Sequence, residues 1–344
     1  MTRIATGLVG YGLAGSVFHA PLIQAEPRLR LAAVASRRAE QIARDLPGVP
    51  ALPGPDALLA DPAIELVVIA TPNASHYPLA AQALASGKHV VVDKPLAVTS
   101  HEARQLIELA ARHGRLLSVF HNRRWDSGFL TLRRVLADGL LGEVMNYEAR
   151  FDRFRPQIKP GWRERGEPGG GVLYDLGAHL IDQALLAFGP VTHVYAEADR
   201  RRPGVLTDDD TFVALTHANG VRSHLWVSAV ASRLGPRFRV LGDRAAYVKY
   251  GLDLQENALR AGRRPDLEPG WGSEDPSSWG VVGTPDDASP APTERGDYPH
   301  FYAAVAAALR GRGEMPVDPL DSIEGLRVIA AARRSHDERR VVTL

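Results

Sequence analysis

Short apolar runs alternate with segments of helical period through the first 120 residues. Positions 4–9 are an apolar run ending in glycines, 16–25 reads as a helix stopped by Pro27, and 29–35 is a second apolar run. A helical stretch at 41–45 leads into a proline-rich loop from Pro47 to Pro55. Positions 66–70 are apolar without alternation, the pattern of a parallel strand covered on both faces. Residues 75–86 predict a helix closed by Gly87, a favourable residue just past a helix end. A strand at 89–93, a helix at 101–113 with Ser100 as its N-cap, and a strand at 116–120 complete the series. Strands alternating with helices of this length predict right-handed βαβ units and a doubly wound parallel sheet.

After residue 122 the pattern changes. Helices at 128–138 and 172–188 flank a strand at 144–151, and then 191–198, 210–218, 221–230, 238–241 and 245–250 read as successive strands. Turns such as Asn219-Gly220 and Gly242-Asp243 join them, which predicts a mainly antiparallel sheet. Residues 262–297, rich in Pro, Gly, Ser and Asp, read as a long surface loop, and helices at 298–309 and 321–335 close the chain. The expectation is an α/β chain with two domains, 1–121 and 122–344, the second an α+β domain with an open sheet.

Composition narrows the chemistry. A chain of 344 residues, 45% of them apolar, is long enough for two cores. A net charge of +1 gives no electrostatic reason to expect nucleic acid or an acidic membrane as partner. With no cysteine there is no disulfide, no thiolate nucleophile and no Cys-based metal site. The N-terminus runs straight into a predicted strand without a signal peptide, so a cytoplasmic location is expected by default. Only four of the 41 basic residues are lysine (Lys88, Lys94, Lys159 and Lys249), which makes each lysine more informative than usual.

Gly10-x-Gly12-x-x-Gly15 sits directly after the first predicted strand and opens a helix, the context in which such glycines bind a dinucleotide. Gly10 permits the tight turn, Gly12 leaves room for the pyrophosphate, and Gly15 lets the helix approach the strand. These features together predict a Rossmann domain and a nicotinamide cofactor. An NAD site usually carries an acid at the end of the second strand, but here that segment is Ser36-Arg37-Arg38. A guanidinium suits a 2′-phosphate better than a neutral diol, so NADP is favoured over NAD.

Lys94, in Asp93-Lys94-Pro95, ends the fifth predicted strand, where ligand-lining residues lie in such a sheet. A cation there can stabilise an alkoxide, and a lysine can also give up a proton. The cis or trans state of Pro95 is left open by sequence. Asp175 and His179, four apart early in a predicted helix, share one face and form a credible acid/base unit. The pair also reads as a surface contact or, with Asp182, as a metal cluster; the absence of cysteine and of a second histidine at ligand spacing disfavours metal.

Gly10-Tyr11-Gly12, Thr71-Pro72-Asn73 with His76, Asp93-Lys94-Pro95 and Asp175…His179 together resemble the Gfo/Idh/MocA oxidoreductases over essentially the whole chain. The segments 118–126 and 151–156 resemble the branch containing NADP-dependent scyllo-inositol dehydrogenase. The resemblance implies a catalytic group of Lys94, Asp175 and His179, although the family's usual Glu-Lys-Pro is Asp93-Lys94-Pro95 here. It implies hydride transfer between NADP(H) and a polyol or sugar, and a homodimer or homotetramer assembled through the C-terminal sheet. Tyr11, Thr71, Pro72, Asn73, His76 and Asn122 join the glycines, Ser36, Arg37, Arg38 and Lys94 as cofactor candidates. Arg123, Trp125, Arg153, Trp162 and Tyr298 are candidates for the substrate wall. The competing readings are a cofactor-binding sensor without turnover and a glycoside hydrolase using tightly held NAD.

Overall fold

The computed structural model describes residues 2–159 and 161–344. By its internal contacts the chain divides into two compact units. The first comprises the residues up to Asn122 with Gln255–Trp271 and Asp297–Ile323, and the second comprises Arg123–Leu254, Gly272–Gly296 and Glu324–Leu344.

In the first unit six parallel strands form one sheet: β1 (Ile4–Val9), β2 (Leu29–Ala35), β3 (Ala51–Leu52), β4 (Leu66–Ile69), β5 (His89–Asp93) and β6 (Leu117–Phe120). Their order is β3-β2-β1-β4-β5-β6. Every residue of β1, β4 and β6 is buried, which explains why these runs lack alternation. The helix Ser100–Arg112 begins one residue earlier than predicted, with Thr99 as its cap. Thr99 Oγ1 accepts from the Glu102 N–H at 3.1 Å while Glu102 Oε2 accepts from the Thr99 N–H at 3.0 Å. The reciprocal pair needs a Glu three residues beyond the cap, and only Thr99 stands at that distance from Glu102.

A single boundary after residue 121 assigns the helix Pro299–Ala308 to the second domain; the packing places it in the first unit. Phe301 and Tyr302 are wholly buried, with ring centroids 4.9 Å and 6.0 Å from that of Phe120 on β6. Aromatic burial of this extent outweighs proximity along the chain.

The second unit is built on nine strands: β7 (Val144–Asp152), β8 (Val191–Asp199), β9 (Asp210–His217), β10 (Arg222–Ser228), β11 (Phe238–Gly242), β12 (Ala246–Lys249), β13 (Gly280–Gly283), β14 (Ala288–Ala291) and β15 (Val342–Thr343). Their order is β14-β13-β12-β11-β7-β10-β9-β8-β15, and among the described residues only the β10–β7 pairing is parallel. On β9, Thr211, Val213, Leu215 and His217 are buried while Asp210, Phe212, Ala214 and Thr216 are half-exposed. This alternation is the mark of a sheet covered on one side.

The segment 262–297 is more ordered than a surface loop, because β13 and β14 form a hairpin that extends the sheet from β12. Its strands escape a reading by hydrophobic alternation because an edge hairpin is held by its backbone pairing, and Pro290 is tolerated there. No helix among the described residues is long and apolar enough to cross a membrane.

Candidate active site

In the first unit the chain leaves β1 through Gly10, whose φ of +98° favours glycine. A Cβ on Gly10 would run into the Ala70 carbonyl oxygen, and one on Gly15 would run into the Gly10 carbonyl oxygen. A Cβ on Gly12 would meet no atom within 4 Å. Two glycines are therefore required by backbone packing, whereas the third leaves an open approach to the start of the helix. These are the separate requirements of a pyrophosphate-binding turn. The helix is π-wound over Ala14–His19, and the Ser16 amide and hydroxyl both donate to the Gly12 carbonyl oxygen, at 2.9 Å and 2.8 Å.

Tyr11 belongs to the core, with 2% exposure; burial and then the charge of Asp45 push its phenol up to about 12. At the end of β2, Ser36 Oγ accepts from the Arg38 N–H at 3.3 Å, and the Arg38 guanidinium donates to Gln41 Oε1 at 3.2 Å. Arg37 and Arg38 are both exposed. After β4, Ser75 Oγ donates to Thr71 Oγ1 at 2.7 Å, Pro72 is exposed and Asn73 is buried within the turn that follows it.

His76 is wholly buried, and both ring nitrogens face carbonyl oxygens: Nδ1 is 2.7 Å from Pro95 O and Nε2 is 2.9 Å from Thr71 O. Burial pushes its pKa down, against the pull of the two carbonyls and of Asp93. The ring ties the end of β4 to the turn after Lys94. Both nitrogens of this cofactor candidate are thus engaged by backbone. Lys94 is half-buried beyond β5, and the Lys94–Pro95 peptide is cis. Asp93 Oδ1 accepts from the Lys94 N–H at 3.0 Å and lies 3.8 Å from His19 Nε2. Burial alone would push the Asp93 carboxyl up, but His19, Lys94 and His76 outweigh it and hold the group below its ordinary value. The other His19 nitrogen, Nδ1, is 2.6 Å from the Tyr302 hydroxyl. Tyr298 is also wholly buried, its ring 6.3 Å from that of Phe18 and its N–H donating to Gln255 Oε1 at 2.7 Å. It belongs to the core of this unit.

In the second unit the helix carrying Asp175 and His179 is π-wound over Leu173–Gly177 and becomes α-helical only from Ala178. π turns of this kind recur at functional sites. Asp175 Oδ1 accepts from Arg163 Nε at 3.0 Å, and Arg163 lies over the Trp162 ring, 4.5 Å from its centroid. His179 is 6% exposed and its ring stacks on Phe151 at 6.4 Å. Three guanidinium groups also lie near Phe151: Arg123 at 4.8 Å, Arg153 at 4.9 Å and Arg237 at 5.1 Å. Arg123 pairs with Asp126 at 3.4 Å, and Gln183 donates to its carbonyl oxygen at 2.8 Å. Asn122 is buried and Trp125 half-buried in one short turn. Asp182 accepts three bonds from Arg124, at 3.2 Å, 2.9 Å and 2.6 Å, so a buried arginine is one of its partners. Among the described residues no group of three or more acids and histidines is placed to hold a metal.

Asp208, absent from the sequence reading, supports this helix from below. Its carboxylate accepts from the Leu173 N–H at 2.7 Å and from Thr211 Oγ1 at 3.2 Å. Burial pushes its pKa up against those bonds. No local sequence signal marks it, because it lies 35 residues beyond the turn it caps.

A parallel six-stranded sheet with this glycine turn matches a family model described as oxidoreductase family, NAD-binding Rossmann fold, over residues 4–121. Residues 133–344 match the companion model, the C-terminal alpha/beta domain of the same family. The chain belongs to the Gfo/Idh/MocA oxidoreductases. It is thus a dehydrogenase or reductase acting on CH–OH groups. It is 44% identical to the uncharacterised oxidoreductase YdgJ of Escherichia coli, with 99% of each chain covered. It is 35% identical to scyllo-inositol 2-dehydrogenase (NADP(+)) IolW of Bacillus subtilis, over 99% of this chain and 96% of that one. Among solved structures, the oxidoreductase yvaA from Bacillus subtilis superposes with a TM-score of 0.95 at 35% identity, covering 100% of this chain and 99% of that one.

Proposed function

We propose that this oxidoreductase transfers hydride between NADP(H) and a secondary alcohol or ketone of an inositol-like polyol or sugar. The observation carrying the cofactor assignment is the exposed pair Arg37 and Arg38 at the end of β2, where an NAD site would carry an acid. The 35% identity to a protein named as an NADP-dependent scyllo-inositol dehydrogenase supports both halves of the reading.

When bound, the nicotinamide supplies or accepts the hydride. The Gly10–Gly15 turn holds the pyrophosphate on helix N–H groups. Arg37 and Arg38 pair with the 2′-phosphate. Lys94 stabilises the substrate alkoxide, and His179 takes the hydroxyl proton during oxidation and returns it during reduction. Asp175 holds His179 or a neighbouring substrate hydroxyl. A second copy of the chain pairs through the half-exposed face of the nine-stranded sheet.

The test is a turnover screen of NADP and NAD against inositols, aldoses and their keto forms. The expected outcome is activity with NADP on inositol-like polyols. Equal or better turnover with NAD overturns the roles of Arg37 and Arg38, and turnover confined to substrates without a secondary alcohol or ketone overturns the substrate class.

A further inference from the structure

Asp175 has two ways of being held, and the sequence suggests only one. Spacing pairs it with His179, four residues on across the π turn of Leu173–Gly177. A second hold on the carboxylate comes from Arg163, twelve residues earlier, whose Nε donates to Oδ1 at 3.0 Å.

The turn that carries Arg163, Trp162–Glu164, is anchored on both sides. On one side the Arg163 carbonyl oxygen accepts from the Gly171 N–H at 2.9 Å and from Thr207 Oγ1 at 3.1 Å. Gly171 in turn accepts from the Asp175 N–H at 3.0 Å, so the arginine and the aspartate share one short backbone connection. On the other side Glu164 Oε1 accepts from the Arg202 guanidinium at 3.1 Å, and Arg202 Nε donates to Asp209 Oδ2 at 2.8 Å. Arg202 and Asp209 keep only 4% and 1% of their side-chain surface exposed. Breaking a buried ion pair of this kind leaves an uncompensated charge, which makes it a firm anchor. The guanidinium itself is further restrained by the Trp162 ring beneath it, 4.5 Å away. The two-sided anchor holds the backbone of the turn, and the Trp162 ring and Asp175 hold the guanidinium.

We infer that Arg163 is a positioning residue that sets the pose of the Asp175 carboxylate for the oxidoreductase reaction. The inference rests on the reading of Asp175 as part of the catalytic group. Arg163 occupies one carboxylate oxygen from the loop side, which fixes the plane of the group and directs its other oxygen. The role is exerted through Asp175 alone.

A double-mutant cycle with scyllo-inositol and NADP separates the possibilities. Arg163→Gln is expected to lower kcat about tenfold, the effect of losing one charge-assisted hydrogen bond at a partly exposed site, with the Kd for NADPH unchanged. Arg163→Lys is expected to recover most of that loss. In an Asp175→Asn background Arg163→Gln is expected to cost nothing further. A full additional tenfold loss there, or wild-type kcat for Arg163→Gln alone, overturns the inference while leaving Asp175 catalytic. Wild-type turnover by Asp175→Asn overturns the reading of Asp175 and the inference with it. A crystal structure of Arg163→Gln supplies a readout that needs no turnover: an Asp175 carboxylate in its unaltered position overturns the positioning role.

Discussion

Lysine is scarce in this chain, yet two of the three lysines other than Lys94 show that rarity is no mark of function. Lys88 is buried and donates to the carbonyl oxygens of Asp61 and Ile64, at 2.5 Å and 2.9 Å, and burial pushes its pKa down. Lys249 is 2% exposed and reaches Ser278 O at 2.6 Å and Glu274 at 2.9 Å. What distinguishes Lys94 is its place at the carboxyl end of a parallel strand beside Asp93. Histidines divide in the same way. His217 is buried with Nδ1 2.8 Å from the Gly189 carbonyl oxygen and Nε2 2.8 Å from Ser223 Oγ. A carbonyl accepts and a hydroxyl can donate, so the neutral ring satisfies both partners. Burial holds its pKa below the ordinary 6.5. The folded chain therefore binds fewer protons than the unfolded one in a window that opens just below pH 6.5. Its stabilising contribution is complete above that value and is lost as the pH falls toward the depressed pKa. Urea midpoints measured from pH 7.5 to 5 should fall with acidification, and His217→Gln should flatten that slope. Parallel slopes for the two proteins would remove His217 as a cause.

At the scale of elements, the helix after the glycine turn and the helix that carries Asp175 and His179 both begin with a π turn, over Ala14–His19 and Leu173–Gly177. Such turns recur at functional sites, and no periodicity in these short stretches announces them. The glycine turn before the first was legible because its spacing follows from steric requirements alone. Its three glycines should nevertheless respond differently to substitution. Gly12→Ala is expected to melt as the wild type does, because an added Cβ meets nothing within 4 Å, while its NADPH affinity falls at least about tenfold. Gly15→Ala is expected to lower the melting temperature, since its Cβ collides with the backbone at Gly10. Fluorescence titration and thermal melts check both, and equal losses of stability in the two variants would contradict the assignment. The edge hairpin of β13 and β14 is the opposite case, an element held by backbone pairing whose side chains carry no pattern.

For the whole molecule, the half-exposed face of the second unit's sheet bears directly on assembly. Phe212 and Trp226 lie on adjacent strands with ring centroids 5.1 Å apart, and the Arg150 guanidinium covers Trp226 at 3.7 Å from its centroid. Aromatics and arginine of this kind are enriched at protein interfaces. Light scattering on the purified protein is expected to give the mass of a dimer or tetramer, and Phe212→Asp with Trp226→Asp is expected to reduce it to a monomer. A wild-type protein that elutes as a monomer, or a double variant whose mass is unaltered, would exclude this face as the assembly surface.

The sequence by itself determined the Rossmann sheet, the glycine turn, Arg37 and Arg38 in place of an acid, and the existence of a second sheet that is mostly antiparallel. These features depend on local pattern, on steric demands within a few residues, and on strands long enough to show their period. Tertiary structure decided the rest. It returned Tyr298, Phe301 and Tyr302 to the first unit, because buried aromatic surface is gained against whichever element faces it, however distant in sequence. It gave His76 to two backbone carbonyls, Asp182 to Arg124, Asp175 to Arg163 and the capping of its helix to Asp208. Each of these pairings closes a gap in the chain that no spacing rule spans, since hydrogen-bond partners are chosen by proximity in space.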